Sequence, residues 1–127
     1  MTPPSPITPE NSLFILASFE GPDLSSQAGG LGVRMAGLGQ TLADAGYETH
    51  FFFIGDPKLP GEEFLRGGRL VLHRWGQWIS KNTPGGVYDG EDSKRQDFEK
   101  SLPPYVRERL ILPALAAGRT PVVLLEE

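Results

Sequence analysis

With 127 residues the chain fits a single domain, since ~100–200 residues per domain is usual, and its 39% hydrophobic and 22% charged content is ordinary for a globular protein. A net charge of −4 and the lack of any Lys/Arg run argue against a nucleic-acid or anionic-membrane partner. The absence of cysteine excludes disulfides, thiolate-ligated zinc and a thiol nucleophile, and fits a reducing cytoplasm.

No apolar run approaches the ~18 residues of a membrane span. Residues 1–12, with Pro3, Pro4, Pro6 and Pro9, lack the basic start and apolar stretch of a signal peptide and read as a disordered Pro-rich tail. Residues 13–127 read as one domain.

Leu13-Phe14-Ile15-Leu16-Ala17 is a continuous apolar run of strand length, the pattern of a strand covered on both faces in a parallel sheet. Loop chemistry follows from Ser18 to Gln27. A helix then fits Leu31 to Ala45, with Leu31, Met35, Leu38, Leu42 and Ala45 on one face and Gly46 as its C-terminal stop. Ala36, Gly37 and Gly39 keep that helix slim.

Glu48 to Ile54 is a second strand and Arg69 to Trp75 a third, with a loop through Pro60-Gly61 between them. Asp92 to Leu102 suits a helical turn or two. Tyr105 to Ala117 suits a helix with Val106, Leu110, Ala114 and Ala117 on one face, kinked or split at Pro113. Val122-Val123-Leu124-Leu125 reads as a fourth strand, again of the buried type. The order β-α-β-β-α-β predicts a Rossmann-like α/β fold, a mostly parallel sheet with helices on both faces. The chain stops at Glu126-Glu127 directly after a strand, so a truncated piece with an exposed sheet edge, prone to self-association, is expected.

The chemistry gathers at strand, loop, Gly-Gly, helix. Glycines at a helix mouth let the backbone approach a ligand without a Cβ in the way. The first helical N–H groups lack partners inside the helix and carry partial positive charge, so phosphate or diphosphate is the natural guest. No Gly-Lys-Ser/Thr follows, which rules out a Walker A loop. Gly30-x-Gly32 begins a dinucleotide fingerprint, but its third glycine would fall at Met35. The same glycines also suit a plain tight turn.

The run Phe14-Ile15-Leu16-Ala17-Ser18-Phe19-Glu20 through Gly29-Gly30-Leu31-Gly32, and then Leu38 to Thr49, resembles the start of a GT-B glycosyltransferase, nearest the glycogen/starch synthase-like and group 1 transferases. Those enzymes open with a strand, an acidic residue, a Gly-Gly-Leu loop, a helix and a second strand. Val87-Tyr88-Asp89-Gly90-Glu91-Asp92 and the helix into Val122–Leu125 correspond more loosely.

The resemblance implies retaining transfer from a UDP- or ADP-sugar to a glycan or other acceptor, with no cofactor and no obligatory metal. Gly29, Gly30, Leu31, Gly32 and Gln27 would meet the diphosphate, and Glu20 the acceptor or sugar. Most donor contacts would lie in a second domain, so this piece is expected to be inactive alone. Two departures point away from a glucan synthase and toward a group 1 transferase with a different acceptor. Gln27 stands where synthases carry Lys, and Val33, beside Arg34, where they carry Asp.

Other residues have plainer alternatives. Glu20 also suits a loop carboxylate, Gln27 an exposed amide and Arg34 a solvated helix face. Asp56 stands where a dinucleotide-binding domain places its ribose carboxylate, and equally where a turn-forming Asp precedes Pro57. His50 and His73 read as packed strand histidines with no carboxylate or second His at ligand spacing. Trp75 and Trp78 suit either a sugar-stacking platform or the core. An NAD-binding domain and a non-catalytic interaction domain of the same fold are the rival readings.

Overall fold

The computed structural model describes residues 6–126. Its elements are β1 (Ser12–Ser18), α1 (Leu31–Asp44), β2 (Glu48–Ile54), β3 (Glu62–Leu65), β4 (Leu70–Trp75), α2 (Gln77–Ser80), α3 (Glu91–Val106), α4 (Leu112–Ala116) and β5 (Thr120–Glu126). They build an α/β fold around a five-stranded sheet of order β3-β4-β2-β1-β5. All neighbours are parallel except β3, which pairs antiparallel to β4. This is the Rossmann-like class the apolar runs predict, with one strand more: β3 has only four residues, alternately exposed and half-buried and two of them Glu, so it carries no apolar signature.

Central strand β2 shows why the sheet needs cover on both sides. Phe51, Phe52 and Phe53 are all fully buried. Because side chains alternate across a strand, Phe51 and Phe53 join Leu16, Met35, Ala43, Leu70 and Leu72 on the α1 face. Phe52 joins Leu13, Ile15, Ala17, Leu102, Val106 and Ala114 on the α3–α4 face. Each such ring contributes about 1.5–3 kcal/mol by burial.

Helix α1 packs on the sheet with only part of the face its apolar residues suggest: Met35 is in the core and Leu31 and Leu42 are half-buried against it. Gly32, Met35, Gly39 and Ala43 are buried, while Leu38 and Ala45 are exposed. Small residues win because the approach is close: a Cβ at Gly39 would lie 3.3 Å from Leu70 Cδ1. Gly37 faces open space and does not slim the contact. The predicted stop holds. Gly46 takes φ +98°, its N–H donates to Ala43 O (2.9 Å), and Tyr47 N–H donates to Leu42 O (3.1 Å), the paired bonds of a Schellman motif.

From Glu91 to Ala116 the chain is helical almost without interruption, where a turn or two over 92–102 and a separate helix over 105–117 are expected. Buried Leu102 and Val106 flank Pro103-Pro104 and anchor α3 to the sheet through them. A π turn at Arg107–Ile111 widens the helix where the Pro113 ring would meet the Arg109 carbonyl.

Two expectations are corrected. Strand β5 is not of the buried type: it is the sheet edge, and Val123, Leu124 and Leu125 are 43%, 37% and 74% exposed. Its apolar run resembles that of β1, but β1 sits between two strands and two helix layers. The expected tail of residues 1–12 is also shorter. Ser12 already belongs to β1, Thr8 N–H donates to Asn11 Oδ1 (2.8 Å), and Tyr47 Oη donates to Ile7 O (3.1 Å). Residues 1–5 of that tail lie outside the described residues. Among the described residues no helix is long and apolar enough to cross a membrane.

Candidate functional site

The carboxyl ends of β1, β2 and β4 carry the loops 19–30, 55–61 and 76–90, and these meet on one crest. The first loop is held against the sheet by contacts that leave no room for side chains. A Cβ at Gly21 would lie 2.1 Å from Phe53 Cδ2, and one at Gly32 would lie 2.2 Å from Gly21 O. Gly32 is therefore required by backbone packing against its own loop. Gly30 caps α1 with φ +89°, a conformation that favours glycine, and faces open space.

Glu20 sits at the centre of this loop, 4% exposed. Its Oε1 accepts the N–H groups of Ala28 (3.0 Å) and Gly29 (3.1 Å), and its Oε2 accepts the Tyr88 hydroxyl (2.8 Å). Burial alone would raise its pKa. The N–H groups of Ala28, Gly29 and Gly32 and the Tyr88 hydroxyl outweigh that and hold it below the usual carboxylate range. Tyr88 is shifted up in turn by burial and by Glu20, and its ring stacks on Phe19 at 5.5 Å. The protein's own carboxylate thus takes part of the anion-binding backbone of the Gly-Gly turn. Among the described residues the N–H groups of Gly30 and Leu31 have no hydrogen-bond partner.

A second network fixes the loops to one another. Arg74, at the end of β4, donates from Nε and Nη2 to Asp23 (2.9 and 3.1 Å), from Nη2 to Glu63 (2.8 Å) and from Nη1 to Pro60 O (2.9 Å). Asp23 also accepts the Asp56 N–H at 2.8 Å. Burial pushes the Arg74 pKa down, but the hydrogen bonds and charges of Asp23 and Glu63 raise it overall. Ser26 Oγ donates to Ile54 O, tying the first loop to β2. Lys94 of α3, 1% exposed, donates to the carbonyls of Gly86 (2.9 Å) and Val87 (3.1 Å). Burial lowers its pKa against the opposing effect of Asp89.

Between the second and third loops lies a cavity of about 400 Å³, lined in part by Ser26, Asp56, Lys58, Lys81, Thr83 and Gly86. That volume is at the lower end of small-molecule sites. The loops that line it are held by Arg74, Asp23 and Lys94, none of which the sequence pattern singles out. Asp23 and Lys94 stand in polar segments with nothing local to mark them, because their partners are distant along the chain.

The other candidates fall out as follows. Gln27 is exposed and donates its amide N–H to Pro22 O (2.6 Å), a local loop contact. Arg34 pairs with Glu126 at 3.4 Å on the surface. Asp56 Oδ1 accepts the Lys58 N–H (2.8 Å), the geometry of a turn-forming Asp. Trp75 belongs to the core and Trp78 does not, at 67% exposure.

His50 and His73 are buried strand histidines, as expected, but each has a partner that sequence spacing does not reveal. His50 Nε2 lies 2.8 Å from Glu48 Oε2, and His50 Nδ1 lies 2.9 Å from His73 Nε2. Glu48 also accepts from Arg119 at 2.9 Å. Burial and the nearby His50 push the His73 pKa from 6.5 down to about 3. Burial would raise Glu48, but hydrogen bonds from His50 and Arg119 hold it low. This run of hydrogen bonds starts at the amino end of β2, with Glu48, and reaches the middle of β4, with His73. Among the described residues no cluster of three or more His, Asp or Glu groups suits a metal ion.

No family model, no curated protein and no solved structure matches this chain.

Proposed function

We propose that this chain is the acceptor-side, N-terminal part of a nucleotide-sugar-dependent retaining glycosyltransferase of the GT-B type, related to the group 1 and glycogen/starch synthase-like enzymes. One observation carries the reading: a Gly-Gly turn at the mouth of the 14-residue helix α1 stands on the carboxyl edge of a mostly parallel sheet, in the loop whose Ser26 lines the 400 Å³ cavity. Ligands of such sheets bind outside the carboxyl ends of the strands. Glu20 would brace the turn, leaving the N–H groups of Gly30 and Leu31 to meet a UDP- or ADP-sugar diphosphate. There they would stabilise charge growing on the leaving group. In this reading the protein works in the cytoplasm, in keeping with a chain free of cysteine.

Calorimetry with UDP-glucose, ADP-glucose and NAD tests the reading. Nucleotide-sugar binding should exceed NAD binding, and Gly30→Ala should weaken it, because φ +89° strains any side chain and the new methyl enters the open face. Preferential NAD binding sinks the proposal. Sugar transfer by the isolated chain would overturn its dependence on a second domain.

A further inference from the structure

Trp75 and Trp78 end in opposite environments. Trp75 closes the core, donating Nε1–H to Ser101 Oγ at 2.7 Å and meeting the Tyr105 ring edge-on at 5.0 Å. Trp78, on the short helix α2, leaves 67% of its surface in solvent. Large aromatic rings dominate core and interface energetics, so a bare indole is an informative exposure.

Beside it runs a groove of about 390 Å³ lined by residues of β4, α2 and α3, Gln77, Trp78 and Asp97 among them. Its polar groups are one-sided. The Gln77 amide nitrogen is spent on the carbonyls of Asp56 (3.0 Å) and Leu59 (2.7 Å), which leaves the amide oxygen as an acceptor. The Asp97 carboxylate has no hydrogen-bond or ion-pair partner among the described residues. Arg74, which also lines the groove, has its guanidinium committed to Asp23, Glu63 and Pro60 O. What remains is an aromatic surface with two acceptors.

An occupant must therefore bring hydroxyl or N–H donors, an apolar C–H face and no negative charge. A neutral pyranose meets all three conditions, since its axial C–H bonds form flat apolar faces and its rim is hydroxyl. A phosphate or acidic sugar would set its charge against Asp97. An alkylammonium would suit the acceptors, but cation recognition of that kind uses an aromatic cage, and this groove has one exposed indole.

We propose that Trp78 is a stacking platform for a neutral saccharide whose hydroxyls are taken by Gln77 and Asp97. Helix α2 directly follows the carboxyl end of β4, so the platform shares the crest with the Gly-Gly turn. Naming that saccharide the acceptor of transfer rests on the proposed function; its binding does not.

The test is tryptophan emission of the full chain titrated with maltoheptaose, cellohexaose, glucose 6-phosphate and choline. A saturable change with either neutral oligosaccharide is expected, retained in Trp75→Phe and lost in Trp78→Ala. By calorimetry, Asp97→Ala should weaken binding about tenfold, the size expected for a lost hydrogen bond to a charged group. Trp78→Ala should keep the far-UV spectrum and melting temperature, which separates lost binding from lost folding. No response to both oligosaccharides, a response that survives Trp78→Ala, or stronger binding of choline or glucose 6-phosphate overturns the platform. Nucleotide-sugar binding by Trp78→Ala is read separately. Its absence in both Trp78→Ala and the parent chain counts against the proposed function while leaving the saccharide result intact.

Discussion

The two ends of the sheet carry polar networks of similar composition and different consequence. At the carboxyl end, Arg74 binds Asp23 and Glu63 while Glu20 binds loop amides and Tyr88. At the amino end, Arg119 binds Glu48 and the Ser12 carbonyl, and Glu48 leads through His50 to His73. Both pair a guanidinium with carboxylates. The crest network joins loops, which have no ladder to hold them, so its charges set the shape of a surface where ligands can bind. The amino-end network joins strands that are already paired, so it adds little shape. Its histidines instead add a dependence on acid.

The difference can be broken most severely at Arg74. Arg74→Met leaves Asp23, whose side chain is 5% exposed, without its partner. A loss of about 3–5 kcal/mol in denaturant unfolding is expected, as for a buried pair cut on one side. A loss below about 1 kcal/mol would show that the loops are held by other contacts.

Glu20→Ala comes next. It strips the acceptor from the Ala28 and Gly29 N–H groups and from the Tyr88 hydroxyl, and should cost about 2–4 kcal/mol. Hydrogen exchange should quicken at Ala28 and Gly29 and remain slow in β2; uniform quickening would mean that Glu20 supports the whole fold.

The third prediction separates the two networks by pH. His73 is held neutral in the folded chain, with its pKa lowered from 6.5 to about 3. The unfolded chain therefore binds the extra proton between those values. Its contribution is complete above pH 6.5 and is lost as pH falls toward 3, by about 1.4 kcal/mol per unit. Glu20 and Glu48 have lowered pKa values and add acid sensitivity only below their ordinary 4.5. Thermal unfolding between pH 6.5 and 4.5 thus reads His73. His73→Leu should flatten that limb, and Arg74→Met should leave its slope unchanged.

The smallest effect belongs to Tyr88→Phe. Tyr88 is 44% exposed, so water replaces much of its bond to Glu20. A cost of about 0.5–1.5 kcal/mol is expected by chemical denaturation. A larger one would show that the loop 76–90 is built around this hydroxyl.

The sequence by itself determined the elements whose signal is local. Continuous apolar runs placed β1, β2 and β4, and Gly46 marked the end of α1, because burial and a positive φ act on the residue itself. The Gly29-Gly30 turn before α1 was legible for the same reason. Tertiary structure decided the rest. It turned α1 so that Gly32 and Gly39 lie at the closest approach and Leu38 faces solvent, because that approach is set by the sheet and loop they meet. It exposed β5, whose apolar run cannot say whether a neighbour lies beyond it. It also joined His50 to His73 across 23 residues and Arg74 to Asp23 across 51. A buried charge is satisfied by whichever strand or loop lies beside it in space, and no local pattern in the chain records that neighbour.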